Sequence, residues 1–278
     1  MTKEEISKVL KKNNQVVEII EGGRCNQTIY DVYIYKRVSF FFGLFSRIKK
    51  TTFPFYFETK ELVEEAEKRS PFQQKVTLVA VSKTHPVPDL LEAYEAGARD
   101  FGENKVQELM EKIPAMPEDI RWHMIGHLQR NKVKQLIGKT AMIHSIDSLK
   151  LAETVSAEAV KAGSVIPVLV EVNMAGEQSK FGVNPLDAEK LVRDACGLEG
   201  IRIMGLMTIA PYTEDPETNR PYFAGLRELA VDIGQKCIDN VSMGVLSMGM
   251  TGDFEVAIEE GATHIRVGTG IFGERIYT

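Results

Sequence analysis

The sequence predicts a single (β/α)₈ barrel, and three observations predict it. After Val76, strand-like and helix-like runs alternate eight times; the first run is apolar on both alternating faces; and polar or glycine residues recur where the strand-like runs end. The 278 residues, 44% hydrophobic and 26% charged, suit one large α/β domain. A doubly wound open sheet is the structural alternative, but no Gly-x-Gly-x-x-Gly follows the first strand.

The chain opens with a charged stretch, 1–12, whose pattern predicts a short helix. From about Val16 to Phe57 the composition changes, and about half of the chain's aromatic residues fall here. The apolar run Val38-Ser-Phe-Phe-Phe-Gly-Leu-Phe45 is flanked by Lys36, Arg37, Arg47, Lys49 and Lys50 and is shorter than the ~20 residues of a membrane span. Neither helical nor strand periodicity is sustained, so the segment is expected to be an insertion without regular order, interrupting an opening helical region that resumes at Glu58. The expected organisation is therefore 1–57 as an amino-terminal helix plus insertion and 58–278 as the barrel.

Strands are predicted near 76–83, 98–102, 120–125, 142–146, 165–173, 201–208, 241–248 and 264–268. Helices are predicted near 88–96, 104–112, 129–137, 148–162, 185–195, 217–235 and 252–260, with a turn after Gly270. Pro86 and Pro88 suit a first helical turn, where a missing N–H costs least, and Gly97 and Gly261 suit left-handed stops.

In such a barrel the carboxyl ends of the strands form one mouth. Lys83 sits at the first end, and Ser247, Gly249, Gly252, Gly268 and Thr269 gather after the last two strands, where barrels commonly hold a phosphate on hydroxyls and backbone amides. A lysine facing a phosphate site suggests a Schiff base, because an ammonium removed from water loses its proton more easily and the amine attacks an aldehyde. The partner is then a sugar phosphate, as in lysine-dependent aldolases, or pyridoxal 5′-phosphate (PLP). A net charge of −5 offers no basic footprint for nucleic acid. Three cysteines without paired spacing suggest neither a disulfide framework nor a zinc knuckle and suit a reducing, cytoplasmic setting. The five histidines show no metal-ligand spacing, and His127 and His144 are expected to be ordinary helix-start or strand-end residues.

The motifs Val79-Ala-Val-Ser-Lys83-Thr, Phe101-Gly-Glu-Asn104, Trp122-His123-Met-Ile-Gly126, Glu171-Val-Asn173, Ser179-Lys-Phe-Gly182, Gly205-Leu-Met207-Thr, Leu246-Ser247-Met-Gly-Met and Arg266-Val-Gly-Thr-Gly270 together resemble the PLP homeostasis protein family, which shares the barrel of the alanine racemase amino-terminal domain. The resemblance runs from about Glu58 to the carboxyl terminus. It implies that Lys83 attaches PLP as a Schiff base, that Arg266 approaches the pyridine nitrogen, and that Ser247, Gly268 and Thr269 approach the phosphate. It further implies that Asn104, His123 and Met207 line the pocket around the ring. A cationic guanidinium beside the pyridine nitrogen disfavours its protonation and makes the ring a poorer electron sink. The resemblance therefore favours intracellular PLP carriage or buffering, without turnover, over the alternative of a racemase-like enzyme. PLP-dependent apoenzymes are the partners it suggests; no membrane partner is expected, and the absence of a heptad stripe predicts a monomer.

Overall fold

The computed structural model describes residues 17–23, 28–34, 52–177 and 179–273. Strands β1 (Val17–Gly23) and β2 (Thr28–Ile34) pair antiparallel, from Val17 opposite Ile34 to Gly23 opposite Thr28. This corrects the expectation that the segment lacks regular order: two short runs rich in β-branched residues and tyrosine suffice for extended pairing, although neither sustains an alternation. The helix expected over 1–12 lies outside the described residues.

Helix α1 (Thr52–Arg69) begins six residues before the expected boundary at 58. It buries Tyr56, Val63 and Ala66. Beyond it the alternation is β3 (Thr77–Val81), α2 (Val87–Glu95), β4 (Asp100–Glu103), α3 (Val106–Lys112), β5 (Arg121–Met124), α4 (Val133–Leu136), β6 (Met142–Ile146), α5 (Leu149–Lys161), β7 (Ile166–Glu171), α6 (Pro185–Ala195), β8 (Ile201–Met207), α7 (Arg220–Gly234), β9 (Val241–Met250), α8 (Phe254–Glu259), β10 (His264–Val267) and α9 (Thr269–Phe272). Strands β3 to β10 close in sequence order into a barrel, β10 pairing in parallel with both β9 and β3. Closure leaves the barrel sheet without an edge.

Two apolar clusters separate the faces of the sheet. Ile143, Val168, Val170, Ile201, Ile203 and Leu206 pack outward with the helices, while Met142, Leu169 and Met207 form a second cluster on the opposite face. The alternation of Val168 and Val170 against Leu169 and Glu171 along β7 is the period-two signature of that division. Helix α1 packs over the seam where β10 meets β3, touching α8 and α9, and Arg69 bridges Glu255 and Glu259 at 2.6 and 2.8 Å. Gly97 (φ 101°) and Gly261 (φ 95°) end their helices in the left-handed region, as the sequence predicts. The predicted helix near 129–137 is instead a 3₁₀ turn, Arg130–Lys132, followed by the short α4.

Candidate cofactor site at the barrel mouth

Lys83 follows Ser82 directly off β3 and is half-buried at the mouth. Its chain neighbours are clamped from β4 and α3. The Ser82 hydroxyl donates to Glu103 Oε1 at 2.7 Å, and Lys112 Nζ donates to the same oxygen at 2.6 Å and to the Ser82 carbonyl at 2.7 Å. On the other side, the Thr84 amide donates to Glu108 Oε2 at 2.8 Å. Thr84 has φ 67°, a left-handed conformation costing a β-branched residue about 1–2 kcal/mol, so these bonds hold a turn the chain would otherwise avoid. Glu103 is wholly buried and its Oε2 has no hydrogen-bond partner. Burial pushes its carboxyl above the usual range against the pull of the bonds from Lys112 and Ser82.

A second polar construction fills the barrel interior. Arg266, on β10, is 4% exposed; Nη1 donates to Ser247 Oγ at 2.6 Å and Nη2 to the Thr208 carbonyl at 2.8 Å. Ser247 Oγ lies 2.9 Å from His144 Nδ1, His144 Nε2 lies 2.9 Å from His123 Nδ1, and His123 Nε2 lies 3.0 Å from Asp100 Oδ1. Arg121 closes the chain with Nε 2.7 Å from Asp100 Oδ1. His264 packs beside both imidazoles with ring centroids 6.0 Å away. Burial holds His144 well below the usual histidine range and brings His264 down to about 4, so both stay neutral at pH 7. Burial also lowers Arg266, to about 10, which leaves it cationic at neutral pH.

The third part is the pair of loops after β9 and β10. Gly249 has φ 89°, and a Cβ there would stand 2.6 Å from Ala257 Cβ, so its lack of a side chain lets α8 pack against the strand. Gly268 precedes α9, and Thr269 is exposed. The Gly270 amide donates to Thr251 Oγ1 at 3.3 Å, which places the Thr251 hydroxyl between the two loops. Ser247 lies four residues earlier and fully buried, its hydroxyl engaged by Arg266 and His144. Asn104 follows β4, pressed against Gly126 so closely that a Cβ there would come 2.4 Å from the Asn104 carbonyl oxygen. Met207, fully buried, ends β8.

The expected residues thus all lie on or just beyond the barrel strands, but at different depths. Lys83, Asn104, Gly268 and Thr269 follow strand ends, whereas His123, Ser247 and Arg266 belong to the interior polar chain. His144 departs from expectation: it is the third residue of β6, wholly buried, and links His123 to Ser247. Sequence reasoning assigned no role to Asp100, Ser82, Glu103, Lys112, Thr208 or Thr251, although Glu103, Thr208 and Thr251 lie in runs it places at the strand ends. A signal existed for some of them, since polar residues on the inward alternation of apolar strands need partners across the barrel. Glu171, the last residue of β7, is a further case. It is 5% exposed, Oε2 has no partner, and burial, reinforced by Asp147 and opposed by Arg266, raises its carboxyl to about 7.

These features define a class of protein: a barrel with a lysine on a clamped turn at its mouth and, in its interior, a buried arginine that has no carboxylate within ion-pair distance among the described residues. The alanine racemase N-terminal domain model matches residues 62–276. The pyridoxal phosphate homeostasis protein of Aquifex aeolicus is 48% identical over 201 residues, covering 72% of this chain and 87% of its own, and that of Homo sapiens is 39% identical over 212 residues, covering 72% and 77%. The structure of PipY from Synechococcus elongatus with PLP bound superposes with a TM-score of 0.67 at 36% identity, covering 77% of this chain and 99% of that one. The chain belongs to the pyridoxal phosphate homeostasis protein family. More distant barrels, including an alanine racemase of Clostridium difficile at 11% identity, share the fold.

The residues present suit PLP on the structure's own terms. Arg266 bonds only a hydroxyl and a carbonyl, and among the described residues no carboxylate lies within ion-pair distance of it. A buried guanidinium left with N–H groups to spare calls for an acceptor, and an unprotonated ring nitrogen is one.

Proposed function

We propose that this protein binds PLP through Lys83 and serves intracellular PLP homeostasis as a carrier or buffer. The observation that carries the proposal is a clamped strand-end lysine in the same barrel as a buried arginine with no carboxylate within ion-pair distance among the described residues, in a chain related at 48% identity to a pyridoxal phosphate homeostasis protein. PLP supplies an aldehyde that condenses with an amine and a phosphate that anchors it. In this reading Lys83 provides the amine and Arg266 faces the ring nitrogen. Asn104, His123 and Met207 shape the space around the ring, and Ser247, Gly249, Gly268 and Thr269 serve the phosphate end, joined by Thr251. Arg266 keeps the ring nitrogen unprotonated and so weakens its pull on electrons, which favours holding the cofactor over turning it over. The protein would act as a cytoplasmic monomer supplying PLP-dependent apoenzymes, in keeping with its unpaired cysteine spacing and its lack of a heptad stripe.

The test is the visible spectrum of PLP-treated protein before and after borohydride, with mapping of the trapped lysine. Wild type should gain a visible band that borohydride bleaches, with the adduct on Lys83, and Lys83→Ala should lose both. An adduct mapping elsewhere, or an unchanged spectrum in the variant, overturns the proposal. Turnover of a common amino acid in chiral product analysis would move the reading to a racemase-like enzyme.

A further inference from the structure

The chain from Arg266 to Asp100 contains four hydrogen bonds whose direction follows from counting protons. Asp100 is a carboxylate: burial alone would raise its pKa, but bonds from His123 and Arg121 leave it below the usual range. His123 Nε2, 3.0 Å from that carboxylate, must therefore carry a proton, since a bare nitrogen there would set lone pair against lone pair. At the other end Arg266 Nη1 can only donate to Ser247 Oγ. The Ser247 hydroxyl is fully buried, and its one remaining neighbour in hydrogen-bond range is His144 Nδ1, at 2.9 Å. If His144 Nδ1 were protonated, the hydroxyl would face two donors and its own proton would be buried without an acceptor, at a cost of roughly 1–3 kcal/mol. His144 Nδ1 is therefore the acceptor. Because burial keeps His144 neutral, its single proton lies on Nε2 and is donated to His123 Nδ1, which leaves His123 neutral as well. Every donor then has an acceptor, and every bond points from Arg266 towards Asp100.

We infer that Asp100, at the amino-terminal end of β4, is a positioning residue for Arg266, acting through His123, His144 and Ser247 to make Ser247 an acceptor towards the guanidinium. The anchor is itself held in place. Arg121 Nε donates to Asp100 Oδ1 at 2.7 Å, and a second Arg121 nitrogen pairs with Oδ2, so the carboxylate has both oxygens committed. Removing the carboxylate takes the acceptor from His123 Nε2–H, so the original order now also leaves one donor unpartnered. It thereby loses its advantage over the reverse order, in which His123 and His144 carry their protons on Nδ1 and the Ser247 hydroxyl is pressed by donors from both sides. His264 sits 6.0 Å from both rings, centroid to centroid, in contact without a hydrogen bond to either.

The inference concerns the chain's own residues and is tested first without PLP. Long-range ¹⁵N–¹H spectra of the imidazoles should place both His123 and His144 in the Nε2–H tautomer in wild-type protein. An Nδ1–H tautomer or an imidazolium at either position overturns the inference, and this measurement does not depend on any variant folding. In Asp100→Ala, checked for a cooperative melt, His144 should shift towards the Nδ1–H form, and added formate, which restores a carboxylate, should return it. PLP affinity should fall about tenfold in the same variant, on the scale of one charged hydrogen bond, while the borohydride adduct still maps to Lys83. A His144 tautomer unchanged in Asp100→Ala also overturns the inference. Failure of wild-type protein to bind PLP would remove the proposed function and leave the tautomer result standing.

Discussion

Lys83 stands at the barrel mouth and Arg266 in its interior, and the protein holds these two cations in opposite ways. Around Lys83 the chain neighbours are anchored: Ser82 and Thr84 are tied to Glu103, Lys112 and Glu108, so the backbone is fixed on both sides of the lysine. Around Arg266 the bonds fall on the side chain itself, and the partners are a neutral hydroxyl and a carbonyl. The first arrangement spends a buried ion pair on a turn, and the second keeps a buried cation without one. The difference is chemical. Under the proposed function, an amine that forms and releases a covalent bond is best positioned through its backbone, whereas a guanidinium that keeps donors for a ligand is best positioned by neutral acceptors.

The comparison can be broken from either side. The largest effect is expected behind Lys83: Lys112→Met strands the buried Glu103 and should cost about 3–5 kcal/mol in urea denaturation, with PLP binding weakened in parallel. Adding Glu103→Gln should recover at least half of that loss, because the stranded charge is gone; no recovery would mean that the pair acts through packing alone. Ser247→Ala should cost less, roughly 1.5–3 kcal/mol in stability, since Arg266 keeps the Thr208 carbonyl and no charge is stranded. A loss as large as that of Lys112→Met would erase the distinction.

The smallest effect concerns Glu171, the carboxyl electrostatically nearest to completing an ion pair with Arg266. Its folded pKa, about 7, lies above its usual 4.5, so its contribution to stability is present below pH 4.5 and is lost as pH rises through 7. The slope is at most about 1.4 kcal/mol per pH unit. His264, with a folded pKa of about 4, works in the opposite sense: its contribution is present above pH 6.5 and is lost as pH falls towards 4. The melting temperature of Glu171→Gln relative to wild type should therefore climb between pH 5 and pH 7. A relative melting temperature that stays flat over that window would mean that Glu171 is held charged by Arg266 after all, and that both cations are held by carboxylates.

Much of this architecture was legible in the sequence. The strands predicted near 142–146 and 201–208 and the helix predicted near 185–195 match β6, β8 and α6 closely, because each carries a clean hydrophobic period between strong punctuation. Lys83 was legible as a mouth residue for the same reason, since a single cation at the end of an apolar parallel strand has one place to go. The pairing of 17–23 with 28–34 was not, because its runs are too short to show a period. His144 was misjudged on other grounds: the two polar residues within Met142-Ile-His-Ser-Ile146 carry no local sign of the partners they meet across the barrel.

By itself the sequence determined the alternation of elements, their order around the barrel and the residues that reach the mouth, all of which follow from local periodicity and the one-way logic of parallel crossovers. Only the tertiary structure decided which buried polar groups meet. Asp100 and His123 are 23 residues apart, and His144 and Ser247 are 103 apart. Their union depends on barrel closure and on strand register, where a shift of one residue would turn each side chain to the other face. The same closure puts Arg266 beside Ser247 and the Thr208 carbonyl rather than beside a carboxylate, and so leaves donors of the guanidinium for a ligand at the mouth.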